Sequence, residues 1–337
     1  MKLEDRIEAF AALGNKIDRL SESEKQSIFE QAAQYNAWFT ADSVRMALSG
    51  ISHFLKKETL TAWTAHYTLT DVKERSIGVA MAGNIPLVGF HDLLCILISG
   101  HIVVAKKSSQ DSYLITLLTD WLTDLEPRFK SKIRFEERLN KVEAVIATGS
   151  DNTARYFEYY FRNIPHIIRK NRTSCAILMG EEEESQLIEL GKDVFTYFGL
   201  GCRNVAKLYV PEDYSFPGLL NCWEIYQPII HHHKYVNNYD YQKSIMLVNG
   251  IHHYDNGFIM LTESENLVSP ISVLFYETYR NLADLNAKKI AKQKEKIQCV
   301  VSANGWFKDS IPFGKAQLPE VWEYADQLDT MKFLTSM

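Results

Sequence analysis

The sequence predicts an α/β protein: two domains, each built on a parallel sheet, behind a helical appendage at the N-terminus. Three observations predict it. From Ser76 onward, short apolar runs alternate with amphipathic stretches, the rhythm of strand–helix–strand units whose helices cover a parallel sheet. That rhythm comes in two blocks, parted by the polar run Lys170-Asn171-Arg172-Thr173. Residues 1–57, in contrast, carry only helix signals. The expected division is 1–57 for the appendage, 58–169 and 170–300 for the two α/β domains, and 301–337 for a segment that packs or assembles.

In the appendage, Ser21-Glu22-Ser23-Glu24 has the capping residues that open a second helix, and Thr40-Ala41-Asp42-Ser43 opens a third. Trp38 and Phe39 between them are expected in the core. In the first block, strands are expected at Ile77–Ala82, His101–Lys106, Glu143–Ala147 and Ile164–Arg169. Helices are expected at Phe90–Ile98, Tyr113–Leu122 and Asp151–Arg162, the last capped by Ser150 or Asp151. The second block reads as strands near 175–179, 205–210, 244–249 and 271–275. A long helix Glu277–Glu295 and a strand Ile297–Val301 follow. Glu181-Glu182-Glu183-Glu184 suits the start of a helix, where negative charge meets the positive end of the dipole.

Composition excludes several classes. A net charge of −5 gives no electrostatic footprint for a nucleic-acid backbone. The charged opening Met1-Lys2-Leu3-Glu4-Asp5-Arg6 is not a secretory leader, and the longest apolar stretch, Leu93–Val104, is broken by Ser99, Gly100 and His101 before it could span a membrane. The 5 cysteines are odd in number and form no CxxC, the usage of a reducing cytosol, so the expected location is cytoplasmic. His231-His232-His233 and His252-His253 have no carboxylate or cysteine at ligand spacing, so no metal is expected.

One short stretch carries the chemistry. A helix expected over Ser185–Phe198 leads through Gly199-Leu200-Gly201 to Cys202, and the strand Val205–Val210 follows until Pro211 stops it. Gly199 and Gly201 permit close approach of other backbone or a flat ligand. A thiol on such a turn is either a nucleophile toward a carbonyl or thioester, or one more small buried side chain. Gly199-Leu200-Gly201-Cys202-Arg203-Asn204-Val205-Ala206-Lys207-Leu208-Tyr209-Val210-Pro211-Glu212 resembles the nucleophile segment of the aldehyde dehydrogenase superfamily. The resemblance is closer to its acyl-CoA reductase branch, the relatives of the fatty-acid reductase of bacterial bioluminescence. It implies an aldehyde dehydrogenase-like fold with Cys202 as nucleophile.

The resemblance extends to further motifs in the same order. Gly83-Asn84-Ile85-Pro86, by itself, reads first as a local Asn-x-Pro turn; it is similar to the family's Asn-Phe-Pro turn, which implies that Asn84 helps polarise the substrate carbonyl. His101–Ser108 is similar to Val-Val-x-Lys-Pro-Ser, with Lys107 in place of the proline, which puts Lys106, Ser108 and Ser109 on the nucleotide. Ala147-Thr148-Gly149-Ser150 stands where the family has a Thr-Gly-Ser turn. A turn from strand to helix suits a pyrophosphate, so Thr148, Gly149 and Ser150 are expected to bind the cofactor, although no GxGxxG is present. By this resemblance 58–169 is the nucleotide-binding domain and 170–300 the catalytic one. Asn266–Val273 is similar to Glu-x-Phe-x-Pro-Val, whose glutamate holds the nicotinamide ribose; alignment on Pro270 puts Asn266 at that place, with Glu265 one residue early. The C-terminal runs Ile311–Gln317 and Tyr324–Met331 also look like the reductase branch and are expected to pack.

One departure is informative. Hydrolytic aldehyde dehydrogenases carry Glu-Leu-Gly-Gly-Lys where this chain has Arg169-Lys170-Asn171-Arg172-Thr173, so the glutamate that activates water is replaced by a cation. An acyl-enzyme without that base is better exchanged with a thiol than hydrolysed. The expected activity is NAD(P)H-dependent reduction of an acyl-CoA, fatty acyl by the family likeness, to the aldehyde through an acyl-cysteine. The cofactor is NADPH or NADH, with CoA part of the substrate. NADPH is expected to be accepted at least as well, because Ser109 stands where the family often has a glutamate that repels a 2′-phosphate. Partners are the acyl-CoA and either further copies of the chain or an acyl-transferring or acyl-activating protein. A cysteine acyltransferase or thioesterase, and a catalytically silent nucleotide-binding partner, are the alternatives.

Overall fold

The structure is a computed structural model that describes residues 1–70, 72–285 and 290–337. Contacts divide the chain into two units, Met1–Asn171 with Glu320–Met337, and Arg172–Pro319.

The first unit opens with four helices, α1 (Leu3–Asp18), α2 (Glu22–Tyr35), α3 (Ala41–Phe54) and α4 (Lys57–Thr64). Ser21 and Thr40 cap α2 and α3 by accepting the N–H of Glu24 and Ser43, as the capping residues require. Their apolar stripes, among them Phe10, Leu13, Phe29, Leu48 and Trp63, are buried in one core with Phe39. That core continues without a break into the sheet, so the appendage is part of the first domain's packing.

The sheet has five parallel strands in the order β3-β2-β1-β4-β5. They are β1 (Ser76–Ala80), β2 (Ile102–Lys106), β3 (Ile133–Phe135), β4 (Ala144–Thr148) and β5 (His166–Arg169), with helices α5 (Phe90–Ser99), α6 (Ser112–Leu125) and α7 (Asp151–Phe161) between them. Ser150, not Asp151, caps α7 through the Thr153 N–H. Strand β3 gave no sequence signal because it is three residues long and half-exposed. After β1 the chain moves to β2 on one side, while β4 lies on the other, so the connections part at the carboxyl end of β1. Doubly wound sheets bind ligands at that crevice.

Glu320–Met337 returns to this unit and is held by a polar aromatic cluster. Trp63 Nε1 donates to the Tyr324 hydroxyl at 2.7 Å, and Tyr67 links that hydroxyl to Asp329. The closing helix Thr330–Thr335 packs on α5.

The second unit holds a seven-stranded sheet in the order β12-β11-β6-β7-β10-β9-β8. Its strands are β6 (Thr173–Ile177), β7 (Val205–Pro211), β8 (Tyr254–Asp255), β9 (Met260–Glu263), β10 (Val273–Tyr279), β11 (Ile297–Ser302) and β12 (Ile311–Pro312). All pairs are parallel except β8 with β9, so this sheet is mixed where a parallel one was expected. Helices α8 (Glu184–Phe195), α9 (Phe216–Cys222) and α10 (His233–Val248) join them.

Two expectations fail here. The strand expected near 244–249 is the last part of α10, a helix whose faces do not separate apolar from polar residues, leaving Leu247 and Val248 exposed. The helix expected from Glu277 begins as strand. Glu277, Thr278 and Tyr279 continue β10 because they pair with Tyr209, Val210 and Pro211 of β7. Part of that expected helix, 286–289, lies outside the described residues.

Candidate active site

Helix α8 ends earlier than the periodicity suggested. Its last carbonyls need partners, and the Asn204 side-chain amide supplies them: Nδ2 donates to the carbonyls of Asp193 (3.0 Å), Val194 (3.4 Å) and Thr196 (2.7 Å). The chain then takes three left-handed residues in a row, Tyr197 (φ 53), Phe198 (φ 58) and Gly199 (φ 78). Only the glycine does this without strain, and two consecutive aromatic residues there cost of order 1–3 kcal/mol each. Asn204 Oδ1 accepts the Gly201 N–H at 2.8 Å, and Asn204 is 1% exposed. The turn is thus built around one buried amide. In the sequence Asn204 carries no signal for this role, because its partners lie 3 to 11 residues upstream and meet it only in the fold.

Cys202 sits on this turn, half-buried, immediately before β7. Cys95 and Cys175 are fully buried, and burial pushes both thiols up. Cys299 is pushed up to about 11, mainly by burial.

The turn is fastened to its surroundings. Asp193 accepts the N–H groups of Gly314 (2.7 Å) and Ala316 (3.0 Å), and burial raises its carboxyl to about 6 against those two bonds. Arg203 donates to the Ala316 carbonyl at 3.3 Å. The segment Ile311–Gln317, expected to pack, therefore packs on the Cys202 turn.

A cleft adjoins the turn. Phe195, Phe198, Gly199, Ala206, Tyr235 and Pro270 line it, and its cavity is small, about 30 Å³. The histidine tract contributes here. His232 caps α10 by accepting the Tyr235 N–H, and its ring lies 4.3 Å from that of Phe198. Among the described residues no group of three or more His, Cys, Asp or Glu could hold a metal ion.

Of the tract similar to the family's ribose-binding glutamate, Ser269–Val273 lines this cleft, while Glu265 and Asn266 are exposed beyond the end of β9. Their loop is held from below by Lys207, which is 0% exposed. Its ammonium pairs with Glu277 at 2.6 Å and donates to the carbonyls of Ser264 and, at 3.3 Å, Asn266. A lysine in an apolar strand was the available signal, and it was missed.

In the first unit the expected nucleotide residues gather at the carboxyl ends of three adjacent strands. Register puts Lys106 and Ala147 level with Ala80 on either side. Lys106 is exposed, while Lys107 folds back to Thr116 Oγ1 (2.8 Å) and over the Phe135 ring. Gly83 lies so close to the next loop that a Cβ there would meet Ser108 Oγ at 2.5 Å, which ties the Asn84 turn to the Ser108–Ser109 loop. Asp111 completes the tie by accepting the Leu87 N–H at 2.6 Å. Ser109 is exposed.

Gly149 departs from expectation. Its N–H goes to the Arg169 carbonyl (3.2 Å) and its open side packs on Thr153 and Phe157, so it offers an anion nothing directly. What remains at that turn is the first-turn N–H set of α7, with Thr148 and Ser150 beside it. An exposed lysine, an exposed serine and a helix N-terminus at the crevice of a doubly wound sheet fit a dinucleotide's phosphates and ribose.

Arg169, the cation expected in place of the water-activating glutamate, is 4% exposed. Its guanidinium donates to Asp92 (2.6 Å) and to Thr330 Oγ1 (2.8 Å). Burial opposes its charge, but Asp92 overcomes that and leaves its pKa raised. This cation is therefore committed to a buried pair.

Comparison with solved structures decides the fold. The chain superposes on an aldehyde dehydrogenase from Bacillus cereus in its NAD+ complex with a TM-score of 0.64, at 10% identity, over 90% of this chain and 72% of that one. An indole-3-acetaldehyde dehydrogenase mutant from P. syringae, in complex with NAD+ and IAA, gives 0.66 at 12% identity over 94% and 75%. The fold is that of the aldehyde dehydrogenases. An NAD+ complex of a Mycobacterium tuberculosis aldehyde dehydrogenase matches equally, with a TM-score of 0.64 at 11% identity over 90% and 73%. No family model matches the sequence, and no curated protein does. Among the described residues no helix is long and apolar enough to cross a membrane.

Proposed function

We propose that the protein is a nicotinamide-dependent reductase that converts an acyl-CoA to the aldehyde through an acyl-Cys202 intermediate. One observation carries the reading. In an aldehyde dehydrogenase fold, the half-buried Cys202 sits on a strained, amide-braced turn before a parallel strand, and the cation at the hydrolytic base's position is locked to Asp92.

The Cys202 thiolate adds to the thioester carbonyl, the C–S bond to CoA breaks, and CoA leaves as a thiolate that takes up a proton. The Cys202 backbone N–H is assigned to the oxyanion. The acyl thioester is reduced to a thiohemiacetal, which collapses to aldehyde and returns the Cys202 thiolate. Bound reduced nicotinamide supplies the hydride for that reduction. Lys106, Ser109, Thr148, Ser150 and the first turn of α7 are assigned to hold it.

The test is stoichiometric. Acyl-CoA alone should release one equivalent of CoA per site and then stop, with an acyl adduct on Cys202 by mass spectrometry. Reduced nicotinamide should restart turnover and yield aldehyde. An adduct on Cys222 or Cys299, or continuous CoA release with free acid and no nicotinamide, overturns the reading.

A further inference from the structure

The second sheet is irregular on both sides of one residue. Along β7, Ser174 pairs with Val205 but Cys175 pairs with Lys207, so β7 carries an extra residue at that point. Along β11, Thr173 pairs with Ile297 but Cys175 pairs with Val300, a second extra residue opposite the same serine. Bulges bend a strand and re-aim its side chains, and they recur beside active sites. Here two flank Ser174, which is 0% exposed.

Its hydroxyl fills the opening. Ser174 Oγ donates to the Cys202 carbonyl at 3.0 Å. It accepts the Cys299 N–H at 3.2 Å and lies 3.0 Å from Cys299 Sγ. On the other side of Cys202, the Gly201 carbonyl accepts the Asn204 N–H at 3.0 Å. Peptide groups are planar, so fixing a carbonyl fixes the N–H across from it. The two peptides that flank Cys202 are therefore each held, one by Asn204 and the other by Ser174.

We infer that Ser174 is a positioning residue for the Cys202 nucleophile, holding the Cys202–Arg203 peptide so that the thiol keeps its aim. The inference rests on the proposed role of Cys202. Serine in a strand has no packing advantage over alanine or valine, and this one is fully buried with its donor spent on the nucleophile's own backbone. The Cys299 thiol, which burial keeps protonated at neutral pH, serves as a neighbour that donates into the same hydroxyl.

The experiment uses three variants of the full chain. Ser174→Ala should lower kcat for acyl-CoA reduction at least tenfold, with KM for acyl-CoA and nicotinamide binding unchanged, because only the aim of the thiol is lost. Ser174→Thr, which keeps the hydroxyl, should recover most of that loss. Cys299→Ala keeps the backbone N–H and the bond to Cys202, and should behave as wild type. A Ser174→Ala kcat within twofold of wild type overturns the inference, as does a Cys299→Ala variant that reproduces the loss. If Ser174→Ala does not fold, a folded Ser174→Thr decides alone: near-wild-type kcat supports the role, and a tenfold loss overturns it. Alkylation of Cys202 by iodoacetamide, mapped by mass spectrometry, separates this inference from the reading beneath it. A wild type that forms no acyl adduct on Cys202 sinks the proposed function. Equal alkylation rates in wild type and Ser174→Ala sink the positioning role.

Discussion

Gly201 and Asn204 are bonded to each other twice: the Gly201 N–H donates to Asn204 Oδ1 at 2.8 Å, and the Asn204 N–H donates to the Gly201 carbonyl at 3.0 Å. Between them lies Cys202. The same amide caps α8, so one side chain ends the helix, closes the turn and brackets the thiol. Leaving a buried polar group unpaired costs about 1–3 kcal/mol.

Asn204→Ala strands the Gly201 N–H and the Asp193 and Thr196 carbonyls together. The expected loss is about 3 kcal/mol in urea denaturation, with kcat falling more steeply than stability. Asn204→Asp should be worse at pH 8, because it aims a carboxylate at carbonyl oxygens where the amide donated. An Asn204→Asp as stable as wild type would show that the donated bonds do not hold the turn.

A second prediction concerns Arg169 and Asp92, 2.6 Å apart and both nearly sealed from solvent. Removing one partner of such a pair leaves an unpaired buried charge, at a cost of about 3–5 kcal/mol. Asp92→Ala should lose that much, and Asp92→Leu combined with Arg169→Met should recover most of it. Equal losses in the single and double variants would mean that the charge pair is not what is being measured.

The order of elements around β1, β2, β4 and β7 was legible because each is a short apolar run with a turn signal after it. Cys202, Asn84 and Lys106 are expected site residues because their motifs keep a spacing that can be read in sequence. Ser174 and Lys207 were not, since their roles depend on register: Ser174 matters because two ladders bulge beside it, and Lys207 because the Ser264 and Asn266 carbonyls arrive from a distant loop. Gly149 was assigned too much for a related reason. Its N–H is consumed by Arg169, a partner that only the pairing of β4 with β5 brings to it. The β10 residues 277–279 looked helical because their strand state comes from β7 and not from their own propensity.

The cofactor prediction uses Ser109, exposed just past β2 and near the exposed Lys106. A carboxylate there would repel a 2′-phosphate. Wild type should accept NADPH at least as well as NADH, and Ser109→Glu should shift the ratio of kcat/KM values toward NADH by about tenfold, or about 1.4 kcal/mol. A wild type that strongly prefers NADH, or a variant with an unchanged ratio, would remove Ser109 from the nucleotide site.

The last prediction is a pH dependence with a fixed sign. Asp111 is 2% exposed; Oδ2 accepts the Leu87 N–H, and Oδ1 has no hydrogen-bond partner among the described residues. Burial raises its carboxyl to about 7, and the Leu87 bond only partly offsets that. Its unfolded value is about 3.9. Between those two values the folded chain keeps a proton that the unfolded chain releases. The stability this contributes is full below about pH 4 and is lost as pH rises through about 7. Asp193, raised to about 6, acts in the same direction, so the effect of Asp111 must be read as a difference between chains that both contain Asp193. Asp111→Asn keeps an oxygen for the Leu87 N–H and cannot titrate. From pH 5 to pH 8 the wild type should lose about 2–3 kcal/mol relative to Asp111→Asn, at about 1.4 kcal/mol for each unit below the folded value. Urea midpoints of the two proteins at pH 5, 6.5 and 8 measure this. A gap that stays constant across that range means that Asp111 is ionised throughout, and that the Leu87 bond outweighs its burial.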